Sequence, residues 1–155
     1  MGIISSGFVT TSYGKLSQVT CLSTNVKELK FDWSFYSEEF KEYCHRGYDD
    51  TFVVSVTEKE SGVETTLFKT SVDTLCQSCN GSDLESEACK NLPLQPGGVS
   101  FDRGGVWTTG WNISQTVSLS EYKGKAVTIS FYIEDKGDTS YDTAVLLDDI
   151  RIIEE

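Results

Sequence analysis

The sequence predicts an all-β protein, an antiparallel β-sandwich or jelly roll with one long cysteine-containing loop. Apolar and polar residues alternate along most of the chain, and turn-forming residues separate the alternating segments. Such alternation is typical of strands that turn one face to a core and the other to solvent. Several short strands of this kind in one chain indicate a sandwich or a jelly roll.

The clearest strand is LKFDWSF, in which the apolar face holds Leu29, Phe31, Trp33 and Phe35. The same period is present in TFVVSVT, in AVTISFYI, and in NISQTVSLS, whose predicted apolar face holds Ile113, Val117 and Leu119. Turn residues end these runs in KESG at 59–62, YKGK at 122–125 and EDKGDTS at 134–140. These positions are where antiparallel strands need connections.

Two segments depart from the strand pattern. SEEFKEY is the only candidate helix, and it is short. The stretch from Ser71 to Thr109 contains both prolines and a cluster of three cysteines, so we expect a long loop. Loops of that length are uncommon unless they serve a function or are tied down.

Length and charge limit the classes of function. The 155 residues are expected to form a single domain, 1–155, excised from a larger surface or secreted protein. The 24 acidic and 13 basic residues give a net charge of −11, which repels phosphate backbones and anionic headgroups. We therefore expect no nucleic-acid partner and no membrane insertion, and we expect the acidic surface to recruit divalent cations.

Five cysteines in a chain of this size favour disulfides and an extracellular or cell-surface location. Two bridges among five cysteines can be arranged in about fifteen ways, and spacing does not choose between them. We favour one disulfide that closes the loop from Cys76 to Cys89. A zinc site is the alternative, with ligands from Cys76, Cys79, Cys89 and either Cys44 or His45.

Acidic residues are concentrated in two distant segments. The first segment contains Glu38, Glu39 and Glu42 and then the pair Asp49–Asp50; the second contains Asp135, Asp138, Asp142 and the pair Asp148–Asp149. Oxygen-rich clusters without thiolates suit calcium, which takes six to eight oxygen ligands. The alternative is that these acids only solvate loops, as charge runs commonly do.

Asp148 is the preferred ligand of its pair. TAVLLDDIRI reads as a central strand with both faces largely apolar, so at least one of the two aspartates should be poorly hydrated. Arg151 lies two residues from Asp149 on the same face and can neutralise it. Asp148 has no such neighbour in the sequence, so we expect it to be the least hydrated acid of the set.

Two motifs resemble those of the choice-of-anchor family of bacterial exported domains. FDWSFYSEEFKEYCHRGYDDTFVVSV resembles a Ser-Glu-Glu-aromatic run followed by an Asn-Asp-x-Phe strand start. IEDKGDTSYDTAVLLDDIRI resembles the closing motif Gly-Asp-Ser-x-Tyr-Asp-Ser-Ala-Val and its Asp-containing strand. The resemblance spans most of the chain and implies a jelly roll similar to carbohydrate-binding and MAM-type modules. The acidic positions that it implies are Glu38, Glu39, Asp50, Asp138, Asp142 and either Asp148 or Asp149.

The leading hypothesis is a calcium-stabilised binding or adhesion module that recognises a glycan or a peptide through its loops. Aromatic rings stack well on sugars, and the candidate ligand-binding residues are Trp107, Trp111, Tyr43, Tyr48 and Tyr141. One alternative is a carbohydrate-active enzyme in which Glu39 and Asp142 act as acid and base. The other alternative is a purely structural spacer domain of a surface protein.

Overall fold

The structure is a computed structural model that describes residues 1–6, 13–137 and 140–155. Its strands are β1 (Gly2–Ser5), β2 (Tyr13–Cys21), β3 (Val26–Ser37), β4 (Thr51–Glu58), β5 (Glu64–Ser71), β6 (Gln95–Ser100), β7 (Gly105–Thr108), β8 (Asn112–Ser118), β9 (Ala126–Glu134) and β10 (Thr143–Glu154). Its helices are α1 (Val72–Cys76), α2 (Glu87–Lys90) and a 3-10 turn at Ser120–Tyr122. None of the described helices is long and apolar enough to cross a membrane.

The strands form two antiparallel sheets, as the sequence predicts for a β-sandwich. One sheet has the order β1-β10-β3-β7-β6, with β8 also paired to β3, and the other has the order β2-β9-β4-β5. The core lies between the sheets because the apolar faces of β3, β4 and β9 point inwards. The Phe31 ring, which is fully buried, meets the Phe131 and Phe68 rings edge to face at 5.5 and 5.8 Å.

Two strands depart from the predicted alternation at residues with positive φ. Ser114, with φ of 61°, coincides with a register shift between β8 and β3, and the neighbouring Ile113 is 73% exposed. Asp149, with φ of 50°, lies in a similar shift between β10 and β3. Beyond this bulge β10 is largely exposed, so the prediction of a strand covered on both faces holds only for its first half.

The long segment from 71 to 109 is more ordered than a loop. It contains α1 and α2, which begin at the capping side chains of Ser71 and Ser86, and it contains β6 and β7, which extend the larger sheet. The candidate helix SEEFKEY, in contrast, forms a series of turns between β3 and β4.

Two disulfides tie this segment down. They link Cys44 to Cys76 and Cys79 to Cys89, and Cys21 is free and exposed. The predicted Cys76–Cys89 bridge is therefore wrong: both residues are in disulfides, but with other partners. These pairings use all four cysteines of the alternative zinc site, so no thiolate remains for it. The long-range Cys44–Cys76 bridge fixes the acidic turn after β3 to α1.

Candidate functional site

The two acidic segments meet at one end of the sandwich because β3 ends where β10 begins. The register pairs Ser37 with Thr143, so the residue that follows β3 lies opposite the residue that precedes β10. The Glu38 amide donates to the Asp142 carbonyl at 3.2 Å, and the Asp142 amide donates to Glu38 Oε2 at 3.0 Å. These reciprocal bonds hold the two residues together.

A third acid, Asp102, completes a cluster that could hold a metal ion. One carboxylate oxygen from each of Glu38, Asp102 and Asp142 lies within 4.8 Å of the others. The loop between β6 and β7 brings Asp102 here, since the Arg103 and Gly104 amides donate to Glu38 Oε1 at 2.9 and 2.8 Å. Sequence reasoning missed Asp102, because nothing in its local sequence marks the DRGG turn as part of an acidic site.

The electrostatics of this cluster show an excess of negative charge. The pKa of Asp142 is raised to about 6, chiefly by burial and in addition by repulsion from Asp102 and Glu38. The Arg103 side chain gives partial compensation, with Nε 3.8 Å from Asp102 Oδ2. A divalent cation at the centre would oppose this repulsion and favour the ionised form of all three acids.

Asp50 is a buried acid at the end of the connection between β3 and β4, which begins with Glu38. Its Oδ1 accepts a hydrogen bond from the Lys136 amide at 2.8 Å, and its Oδ2 has no hydrogen-bond partner among the described residues. Burial raises the pKa of Asp50 to about 7; the Thr143 hydroxyl and the Lys136 amide act against this rise, and the Asp135 carboxylate adds to it. That hydroxyl donates to Ser37 Oγ at 2.9 Å in the structure. Asp135 raises the pKa of Asp142 as well, so its charge acts on both acids.

The other predicted metal ligands have different positions. Glu39 follows Glu38 and is fully buried, and Asp138 lies outside the described residues. Asp148 is exposed, and its Oδ1 lies 3.2 Å from the terminal amine of Met1. The Asp149 amide and, after it, this amine lower the pKa of Asp148. The prediction that Asp148 is the least hydrated acid is therefore wrong, because β10 loses its cover at the Asp149 bulge.

The predicted ion pair between Asp149 and Arg151 is confirmed. Arg151 lies two residues further along and its guanidinium contacts Asp149 Oδ2 at 2.5 Å. This ion pair is on the exposed part of β10, away from the acidic cluster.

Aromatic side chains flank the cluster on the side of Asp142. Tyr43 donates to the Tyr141 hydroxyl at 2.7 Å, and the two ring centroids are 4.6 Å apart. This hydrogen bond is the main reason that the pKa of Tyr43 rises to about 12. The Tyr48 ring packs edge to face on Tyr43 at 5.3 Å. Three of the predicted ligand-binding residues thus form one group, each of them half-buried.

The two tryptophans differ from each other. Trp107 is half-buried on β7, and Lys41 Nζ lies 3.6 Å from its ring centroid, so one face of the ring is already covered. Trp111 lies between β7 and β8 and is 45% exposed. Of the pair, only Trp111 offers a ring that is open enough to stack on a ligand.

No protein-family model matches the sequence, and no curated protein matches it. The resemblance to the choice-of-anchor family therefore has no support from a family model. Among solved structures the chain is similar to one titled as the X-ray crystal structure of a non-crystalline cellulose specific carbohydrate-binding module. The match has 8% identity and a TM-score of 0.45, and it covers 97% of this chain and 72% of the other.

Proposed function

We propose that the protein is an extracellular or cell-surface binding module that resembles the choice-of-anchor domains and carries calcium at one end of its β-sandwich. Calcium is held by Glu38, Asp102 and Asp142 and stabilises the loops around them. The module recognises a glycan or a peptide beside this site. The two disulfides fit such a location, since disulfides persist in oxidising compartments.

The observation that carries the proposal is the convergence of three carboxylates from three separate connections. Their oxygens lie within 4.8 Å of one another, and the donor set is oxygen only, which suits a hard cation. Calcium tolerates the irregular geometry of loops, whereas magnesium demands near-ideal octahedral coordination. Further calcium ligands come from backbone carbonyls and water, as is usual for this ion.

The surroundings favour binding over catalysis. The enzyme alternative needs Glu39 to exchange protons with a substrate, but Glu39 is fully buried. Three backbone amides donate to the Glu38 carboxylate and fix its position. A carboxylate held in this way suits the role of a metal ligand.

Recognition of the glycan or peptide uses the tyrosine group beside the cluster and, further along the sandwich, Trp111. Tyr141 precedes the metal ligand Asp142 directly and is tied to Tyr43, so calcium that orders Asp142 also orders this pair. Trp111 precedes Asn112, which pairs with Trp33, so it lies further along β3 than the cluster and supplies a separate exposed ring for stacking. Calcium shapes this edge, and the rings make the contacts with the ligand.

Calorimetric titration and thermal melts test the calcium part. Calcium at about a hundred times its dissociation constant adds about 2.7 kcal/mol to the free energy of unfolding. In a protein of this size, that increase raises Tm by roughly 5–10 °C. Asp142→Asn and Asp102→Asn should each remove most of this increase. Asp148→Asn, which changes an exposed acid outside the cluster, is the matched control and should keep the full increase. Superimposed melts of the wild type in calcium and in chelator would contradict the proposal.

A glycan and peptide array, with and without chelator, tests recognition. Binding that disappears in chelator and returns with calcium supports a calcium-shaped site. A chelator-resistant hit that is insensitive to Trp111→Ala would place recognition elsewhere on the surface.

A further inference from the structure

A second pair of carboxylates lies at the acidic end of the sandwich, on the smaller sheet. β4 begins at Thr51 and β9 ends at Glu134, and the register pairs these two residues. Asp50 precedes Thr51 and Asp135 follows Glu134, so antiparallel pairing places the two acids opposite each other. The two acids that adjoin β3 and β10 in the three-acid cluster described above are placed in the same way. Each sheet therefore contributes one facing pair of acids to this end.

Backbone hydrogen bonds hold the two connections together beside the second pair. The Asp49 amide donates to the Lys136 carbonyl at 3.2 Å, and the Lys136 amide donates to Asp50 Oδ1 at 2.8 Å. The same connections also pack closely, since a Cβ added to Gly137 would lie 2.5 Å from the Gly47 carbonyl oxygen. The backbone of the facing connection therefore fixes the position of the Asp50 carboxylate.

The second oxygen of Asp50 is the observation that points to a ligand. Asp50 is fully buried, and its Oδ2 has no hydrogen-bond partner among the described residues. None of the described basic side chains forms an ion pair with it. The Asp135 carboxyl group lies within hydrogen-bonding reach, and its Oδ1 is buried as well. Like charges that face each other across a strand pair are destabilising, and buried charges are normally paired or bound to metal.

We propose that Asp50 and Asp135 bind a calcium ion of their own, separate from the ion of the three-acid cluster. Asp50 Oδ2 and the Asp135 carboxylate supply two ligand oxygens, and the Thr143 hydroxyl lies close enough to Asp50 to supply a third. Calcium accepts mixed oxygen ligands and completes its coordination with backbone carbonyls and water. The ion replaces the repulsion between two facing acids by attraction to both, and so joins the start of β4 to the end of β9.

The second site does not depend on the three-acid cluster, because the two sites share no ligand. It has two carboxylates rather than three, and calcium affinity depends on the number of charged ligands. We therefore expect the second site to fill at higher calcium concentrations than the cluster.

Two sets of backbone amides report on the two sites separately. The Lys136 amide donates to Asp50, and the Arg103 and Gly104 amides donate to Glu38. The test is an NMR titration of the 155-residue chain with calcium chloride, to millimolar concentrations in mildly alkaline buffer, with calorimetry for the stoichiometry. We expect two ions per chain, with shifts of the Arg103 and Gly104 amides at lower calcium and a saturable shift of the Lys136 amide at higher calcium.

Matched variants separate the two transitions. Asp50→Asn should weaken the transition of the Lys136 amide at least tenfold and leave the other transition unchanged, and Asp102→Asn should have the reverse effect. Asp148→Asn, which changes an exposed acid outside both sites, should leave both transitions unchanged. Asp135→Asn gives a second variant of the proposed site if Asp50→Asn fails to fold.

Three results would overturn the proposal. The first is the absence of a Lys136 shift at millimolar calcium, because a shared proton would then stabilise the pair; a response of Arg103 and Gly104 in that experiment would leave the three-acid site standing. The second is a Lys136 transition that persists in Asp50→Asn. The third is a single transition that Asp50→Asn and Asp102→Asn both abolish, because all of these acids would then form one site.

Discussion

Asp50 should make the metal-free protein less stable as pH rises, and Asp50→Asn should remove this effect. Asp50 is fully buried, and only its Oδ1 accepts a hydrogen bond within the described residues, from the Lys136 amide. An ionised carboxylate in such a place loses hydration that its surroundings do not replace. Asparagine has nearly the same shape and keeps an acceptor for Lys136, but it carries no charge.

The magnitude follows from the pKa of Asp50, which is raised from 3.8 to about 7, chiefly by burial. Between these two values the folded state binds more protons than the unfolded state, so the free energy of unfolding falls as pH increases. A rise of about three pKa units corresponds to a change of about 4 kcal/mol in the free energy of unfolding. This stability is present below pH 3.8 and is lost by about pH 7. Asp142, with a pKa of about 6, acts in the same direction.

Urea unfolding followed by circular dichroism, in metal-free buffers from about pH 5 to pH 8, measures this effect with the disulfides intact. The wild type should lose about 2.7 kcal/mol more stability than Asp50→Asn over this range, because the loss accumulates over the two pH units between pH 5 and the Asp50 pKa of about 7; this corresponds to roughly 5–10 °C in Tm. Asp148→Asn, at an exposed acid, should follow the wild type. Parallel curves for the wild type and Asp50→Asn would refute the argument, because Asp50 would then be ionised without cost.

Three further predictions concern the fold and the ligand site. Phe31→Ala should lower the free energy of unfolding by about 3–5 kcal/mol in urea titrations, because Phe31 is fully buried against two other rings; a loss below about 1 kcal/mol would contradict this packing. Peptide mapping without reduction should show Cys44–Cys76 and Cys79–Cys89 as the linked pairs, and any other pairing would disprove the arrangement. Trp111→Ala should weaken binding of an array-selected ligand at least tenfold without changing Tm, since the ring is 45% exposed; unchanged affinity would remove it from the ligand site.

Much of the fold could be predicted because strands such as β3 and β9 alternate apolar and polar residues in the sequence, and the apolar face of each is the one buried in the core. β4 is buried on both faces from Thr51 to Val56, which its partial alternation does not reveal. β6 and β7 carry no such signal, since QPGGVS and GVWT are rich in glycine and lie at the edge of the sheet. Their strand conformation depends on pairing with each other and with β3, which only the assembled sheet provides.

The candidate site could be predicted where its residues adjoin strand ends. Glu38 and Asp142 flank β3 and β10, so strand pairing brings them together. Asp102 arrives through a long-range contact of the Arg103 and Gly104 amides with Glu38, and no local pattern reveals it. The prediction for Asp148 was wrong for a local reason, because a positive φ at the next residue interrupts the strand and exposes its second half.

The most direct test of the calcium proposal is a crystal structure of the protein grown with calcium, with the ion identified by its anomalous signal. The account predicts one ion within about 2.3–2.6 Å of oxygens from Glu38, Asp102 and Asp142. An empty cluster at saturating calcium, or an ion held only at Asp148 or elsewhere, would contradict it.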